Sequence, residues 1–458
     1  MIIDFTFGNF RSFKNNSNLS LVAATKLRAD EELDTANVFA IPNYPHLSLL
    51  HVAAIYGANA SGKSNIIDAL DAFQRTVIHS ADAEFSLNET PFAYNPSSLN
   101  TPLFFEMSFL IASIHYRYGF EINPGPEGEI VSEWLYRATS SKETVLFERK
   151  GDEVERKRAF TDGAALLDKI EGTTEKRRVR RKSALFLSLC AQVGGQISSS
   201  IVNFVRIKIR IISGLKDTLL RKYTEKCLEG GLYRDIIVNM VKAADTGIID
   251  IEILDEEKAI ESFQSDKPVE EELSESSKQQ IIKNFRVQSV HPVFNDAGNQ
   301  VDTIRGSVYV LESQGTRKLI AFAGPIADTL TKGYTLIVDE LDVKWHPLLT
   351  KAVISLFQSP KTNPNNAQLI FVTHDTNLLD KRNLRRDQIW FVEKDRFGIS
   401  HLYSLAEFKG VRKQQGVLED EYIAGRYGAI PFLGGWNKLF DSAESSTNVV
   451  EATTHDRP

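Results

Sequence analysis

Cysteine is almost missing from this chain: Cys190 and Cys227 are the only two in 458 residues, far apart and with no CxxC pair. That excludes a disulfide scaffold and a thiolate zinc centre, and it fits a reducing compartment. Long apolar runs are missing as well, none approaching the ~18 residues that a membrane span needs. The opening MIIDFTFGNF lacks the basic n-region of a secretory signal. A cytoplasmic protein without a membrane partner is expected. The formal net charge of -6 is unevenly spread and argues neither for nor against nucleic acid. No internal repeat is found. What is present is ordinary globular composition, 42% hydrophobic and 25% charged. The chain is longer than the roughly 250–300 residues at which single cores stop growing, so more than one unit is expected.

Apolar patterning divides the chain. Ile2 to Phe13 mixes β-branched and aromatic residues with polar ones and predicts a strand turning at Arg11-Ser12. Leu47 to Tyr56 is near-continuously apolar, as expected of a buried strand in a mainly parallel sheet. From Lys63 the period changes, with Ile66, Ile67, Leu70, Phe73 and Val77 at helical spacing. Phe104 to Ile111 and Ile114 to Ile122 predict a hairpin, completing a first lobe over residues 1–125. Residues 126–290 carry the basic run Lys176–Lys182, helical stretches such as Ile236 to Ala244, and an acidic segment from Asp255 to Glu275. They predict an inserted, mostly helical arm, too irregular in heptads for a long coiled coil. Over 291–441 short apolar strands return at Tyr334–Val338, Leu369–Val372 and Ile389–Val392, separated by helical segments, which is βαβ texture. The polar stretch 442–458 is expected to be disordered.

Four motifs carry chemistry. Gly57-Ala58-Asn59-Ala60-Ser61-Gly62-Lys63-Ser64 satisfies GxxxxGK[ST] between an apolar strand and a helix, with Asn65 next. Backbone N–H groups there would wrap phosphates, helped by the positive end of the helix. Lys63 would neutralise the β- and γ-phosphates of ATP, and the Ser64 hydroxyl would ligate Mg²⁺. Tyr334 to Val338 ends in Asp339-Glu340, two carboxylates on a buried strand, which is costly unless a cation pairs with them. Asp339 fits the Mg²⁺ role and Glu340 that of general base to the attacking water. Thr373-His374-Asp375 follows another buried strand, where His374 would face the same sheet edge and contact the γ-phosphate. Ser313-Gln314-Gly315-Thr316-Arg317 lies just before a helix spanning Leu319 to Leu330, a second anion-binding cap.

Ser313-x-Gly315 opening a helix upstream of the Asp-Glu strand resembles the ABC signature motif. The order P-loop, long insertion, signature, Asp-Glu strand and histidine strand resembles the SMC-like and OLD-like branch of ABC ATPases. Asn9-Phe10-Arg11-Ser12-Phe13 is similar to that branch's N-terminal strand, which implies Arg11 near the nucleotide. More narrowly, GANASGKSN, ESQGTRKL, DELDVKWHPLL, THDTNLLD and GRYGAIPF resemble the bacterial RloA/AbiLi-type ATP-binding proteins of phage-exclusion operons. The resemblance implies an α/β fold, an ABC-type ATPase head with a P-loop, a mainly parallel sheet flanked by helices and an N-terminal β lobe. It implies ATPase activity at composite sites in which the signature of one subunit covers the γ-phosphate held by another. A homodimer or higher homo-oligomer follows, together with a separate nuclease or toxin effector in anti-phage defence. The Q-loop glutamine has no firm place; Phe104-Phe105-Glu106 marks the candidate region. No zinc-hook CxxC is present, and the 84 residues after His374 hold no Toprim-like carboxylate set.

Two readings of a different class stay open: a DNA-repair or DNA-tethering ATPase, and a non-hydrolysing ATP-dependent scaffold. The Lys176–Lys182 run fits nucleic-acid phosphates as well as it fits a solvated loop. Val205 to Ile211 alternates basic and apolar residues and predicts an edge strand with its cations in water.

Overall fold

The computed structural model describes residues 1–25, 31–125, 128–139, 142–169, 176–213, 217–255, 257–261, 285–380, 382–409, 411 and 417–431. Its central sheet has six strands, in the order Ile209–Ile212, Thr335–Val338, Gln368–Val372, Val52–Gly57, Ile389–Lys394, Ser400–Ser404. The first five run parallel and the last antiparallel. Three of them are buried at every residue, as parallel strands covered on both faces must be. The two-residue period of Val52–Gly57 feeds two cores. Ala53 and Ile55 pack with Ile66, Ile67, Leu70 and Phe73 of helix Lys63–His79. Val52, Ala54 and Tyr56 face Leu319, Phe322 and Ile326 of helix Gln314–Lys332, with Val353 and Phe357 of helix Pro347–Gln358 in the same core.

A second sheet, of nine antiparallel strands, lies over the other side of helix Lys63–His79. Its order is Leu167–Lys169, Lys176–Val179, Glu153–Arg156, Glu143–Lys150, Ile130–Ala138, Ile114–Ile122, Leu103–Ile111, Ile2–Gly8, Ser17–Ser20. Phe73 of the helix meets Phe5 of this sheet edge-on at 5.7 Å and stacks on Phe120 at 5.7 Å. The fold is thus the α/β head that the motifs imply.

Several expectations need correction. The segment 126–290 is not mostly helical. Its first part, Ile130 to Val179, adds five strands to the antiparallel sheet, so that sheet continues well past residue 125. The alternation in Ile130–Ala138 pays out on pairing with Ile114–Ile122, a hydrogen-bonded partner that local helical propensity cannot reveal. Helices do follow, at Asp217–Glu229 and Arg234–Ala243. They pack against Gln314–Lys332 in the core of the central sheet. Pro325 lies inside that last helix and cannot donate to Ala321; the Thr224 hydroxyl of the crossing helix donates to the Ala321 carbonyl instead, at 2.8 Å. The run Leu47 to Tyr56 is two strands, Tyr44–Leu50 and Val52–Gly57, broken at His51. Of the expected edge strand at Val205, only Ile209–Ile212 is extended, preceded by one π-helical turn over Phe204–Lys208. It does form the edge of the central sheet. Most of Asp255 to Glu275, and all of 442–458, lie outside the described residues.

Candidate functional site

Strand Val52–Gly57 ends at Gly57, and the chain must turn back before helix Lys63–His79. Ala60 adopts φ +60° and Gly62 φ +111°. At Gly62 a Cβ would stand 2.6 Å from both Ser12 Oγ and Ser400 Oγ, so only glycine fits. Those serines form a buried relay. Ser400 Oγ donates to Ser12 Oγ at 2.7 Å or to the Ser61 carbonyl at 2.5 Å, and Asn65 Nδ2 donates to Ser12 Oγ at 2.7 Å. The loop is thereby pinned to the N-terminal turn and to strand Ser400–Ser404. The helix starts with no side-chain cap, which leaves its first-turn N–H groups aimed into the loop, with Ser64 exposed beside them. Lys63 is buried, and its Nζ donates to the Gly57 and Ala58 carbonyls at 2.9 Å each. The geometry of Gly57, Ala58, Asn59, Ala60, Ser61, Gly62, Lys63, Ser64 and Asn65 is that of a phosphate cradle.

Parallel registration brings the other motifs to the same edge. Thr373 N donates to the Ile55 carbonyl at 3.1 Å, Leu341 N to Val372 at 3.1 Å, and Asp339 N to Ile212 at 2.9 Å. The Asp-Glu strand, the histidine strand and the P-loop strand are consecutive neighbours, at about 4.8 Å per strand. Electrostatics tie their side chains together. Burial pushes the Lys63 ammonium below its ordinary value, while Asp339, Glu340 and Asp342 push it back up. Burial, reinforced by Lys63, holds the His374 imidazole below its ordinary value against the same three carboxylates.

Four buried oxygens here have no hydrogen-bond partner: Asp339 Oδ1, Asp342 Oδ1, Asp375 Oδ2 and Ser61 Oγ. Orphaned carboxylate oxygens beside a P-loop call for a cation, and hard oxygen donors suit Mg²⁺. Among the described residues no group of three or more His, Cys, Asp or Glu side chains could hold a metal alone. A metal ion here would share its ligands with phosphate oxygens.

The signature residues stand elsewhere. Ser313 caps helix Gln314–Lys332, its Oγ accepting from Thr316 N at 3.2 Å and bonded to Thr316 Oγ1 at 2.9 Å. Ser313 is exposed, and Gly315 packs so closely on the next loop that a Cβ would meet the Lys344 carbonyl at 2.7 Å. This turn belongs with the strand Thr335–Val338 flank, away from strand Ser400–Ser404 at the other edge. Arg11, at φ +49°, is ion-paired with Asp68 of the P-loop helix and with Glu89 at 3.2 Å. It lies against the helix flank, with those two carboxylates as its partners. Glu106 is committed within the antiparallel sheet, accepting from Arg117 at 2.7 Å and Trp134 at 2.6 Å.

Sequence reasoning missed Asp342, Asp375, Lys318 and the Ser12–Ser400 relay. The spacing in DELD could have flagged Asp342, which accepts from His374 N at 3.3 Å. Nothing local could have paired Ser12 with Ser400. The basic run is partly engaged: Arg178 is paired with Asp152 at 3.1 Å, and Arg181 donates to the Ala81 carbonyl at 2.6 Å and to that of Asp82.

The chain matches the sequence family described as "AAA domain, putative AbiEii toxin, Type IV TA system" over residues 52–177 and 234–380, more than half its length. No curated protein matches. Among solved structures, the SMC head domain from Thermotoga maritima aligns at 14% identity and a TM-score of 0.38, covering 88% of this chain and 98% of that one. No helix among the described residues is long and apolar enough to cross a membrane.

Proposed function

The chain belongs to this AAA-domain family, and on that premise we propose that it binds and hydrolyses ATP at Gly57–Asn65, in a site completed by a second copy. The observation that carries the reading is the arrival of the P-loop, Asp339-Glu340 and His374 at the carboxyl ends of three adjacent parallel strands. Lys63 leaves its own loop carbonyls to neutralise the β- and γ-phosphates. The Glu340 carboxylate accepts a proton from water as the water oxygen attacks the γ-phosphorus and the bond to the bridging oxygen breaks. His374 donates a hydrogen bond to a γ-phosphate oxygen. Ser64 and Asp339 would hold Mg²⁺, which supplies charge neutralisation on the phosphates. Ser313 and Gly315 of a partner cap the γ-phosphate from across the interface with the uncommitted N–H groups of their helix.

For the biological setting, the support is the wording of the family description, which names a toxin and a type IV toxin–antitoxin system. That supports a sensor ATPase in anti-phage defence whose nucleotide state controls a separate nuclease or toxin effector. The narrower RloA/AbiLi-type assignment rests on the motifs quoted above.

The test is Lys63→Ala. Removing a charge-assisted phosphate contact is worth roughly 1.5–3 kcal/mol, or about ten- to a hundredfold in affinity. Calorimetry should show that loss with the melting temperature retained. Wild-type affinity for ATP would remove the loop from consideration as the binding site.

A further inference from the structure

We infer that Lys318 is a positioning residue that ties the signature turn to the loop carrying Glu340. The inference rests on the ATPase reading above and adds how two parts of one chain are coupled. Helix Gln314–Lys332 starts from the Ser313 cap, and in its second turn Lys318 is only 2% exposed. Its Nζ donates to the carbonyls of Glu340 at 3.2 Å, Leu341 at 3.0 Å and Val343 at 2.7 Å. A lysine has three N–H donors, and three carbonyls of one loop take them. The ammonium also stands over the rings of Trp345 at 4.8 Å and Phe322 at 5.3 Å.

Two more links join the same segments. Trp345 Nε1 donates to the Gly315 carbonyl at 3.3 Å. Gly315 also lies against the Lys344 carbonyl, with no room for a Cβ. Glu340 itself sits at φ +55°, a left-handed conformation that an L-residue holds only when its surroundings fix it. Its carbonyl is one of the three that Lys318 grips. Without the ammonium, that peptide keeps only the Leu341 N–H on the Val372 carbonyl at 3.1 Å and a long bond from Val343 N to the Glu340 carbonyl at 3.4 Å, so the carboxylate is held less firmly on its line to the γ-phosphate.

The turn that reads a partner's nucleotide and the loop that carries this chain's own base therefore move as one body. Docking of ATP at Ser313 sets Glu340 of the same chain, so in a dimer each composite site reports to the other.

Lys318→Met tests this, because it keeps the apolar stem on Trp345 and Phe322 and removes the donors. KM and ATP affinity should stay within about twofold of wild type while kcat falls about a hundredfold, the scale of a 1 Å misplacement of a catalytic group. ATP should still drive dimerisation of a Lys318→Met/Glu340→Gln protein. Trp345→Phe deletes the bond to Gly315 and leaves a smaller ring under the Lys318 ammonium and beside Phe322; it should lower kcat by a smaller factor with KM unchanged, and it decides the matter if Lys318→Met does not fold. A wild-type kcat in Trp345→Phe or in folded Lys318→Met overturns the inference. Loss of ATP-driven dimers in the Lys318→Met/Glu340→Gln protein does so too, since Lys318 would then shape the cap and not the base. Glu340→Gln run alongside separates the claims. If it turns over ATP normally, the hydrolytic reading itself fails; if it is inactive beside a fully active Lys318→Met, only the coupling fails.

Discussion

Glu340→Gln should bind ATP with wild-type affinity and fail to turn it over. The substitution keeps the shape of the side chain and the left-handed backbone at φ +55° held by Lys318. It removes the proton acceptor, and the loss of a general base lowers kcat by about 10²–10⁴-fold. Lys63 and the P-loop backbone are untouched, so KM should change little. With ATP retained in the cradle, the γ-phosphate stays available to a partner's Ser313 cap. Sedimentation of the variant with and without ATP should then show a dimer or larger assembly only with ATP. Hydrolysis at the wild-type rate would remove Glu340 from the mechanism and leave Asp342, the next carboxylate near Lys63 and His374, to be examined in its place.

Ser313→Arg should produce an equally large loss by a different route. Ser313 makes no bond to the P-loop of its own chain; its hydroxyl serves Thr316 at the start of helix Gln314–Lys332. Loss of that cap costs about 1 kcal/mol of stability, too little to unfold the chain. ATP affinity should therefore survive. An arginine side chain at the mouth of the helix fills the space where a partner's γ-phosphate would sit against free N–H groups. Closure and hydrolysis should both fall to background, read by sedimentation and phosphate release. Mixed with Lys63→Ala, this variant forms one composite site with an intact P-loop and an intact signature, and part of the activity should return. A Ser313→Arg protein that hydrolyses ATP normally as a monomer would leave a P-loop ATPase without the shared site.

How much of this was legible in the sequence depends on the range of the interaction. The P-loop, the Asp-Glu strand end and the histidine strand end are each defined by fewer than ten consecutive residues and by a buried strand before them, and all three stand where the pattern places them. Helix Lys63–His79 and the hairpin of Leu103–Ile111 with Ile114–Ile122 were legible for the same reason. Strands Glu143–Lys150 and Glu153–Arg156 were not. Both are rich in charge and readable as helix, and pairing within a nine-stranded sheet gives them their conformation. The Ser12–Ser400 relay joins residues 388 positions apart. Lys318 reads as a solvated lysine on an amphipathic helix, since its hydrogen-bond acceptors are backbone carbonyls on a loop beyond the next strand.

The central claim is that two chains share each catalytic site, and specific activity across a dilution series tests it most directly. ATP turnover per chain should be measured on the wild-type protein from micromolar to nanomolar concentration, with the oligomeric state read at each point by mass photometry. A shared site predicts that turnover per chain follows the fraction of dimer or larger assembly and vanishes where only monomer is present. Undiminished turnover per chain in a sample that is wholly monomeric would contradict it.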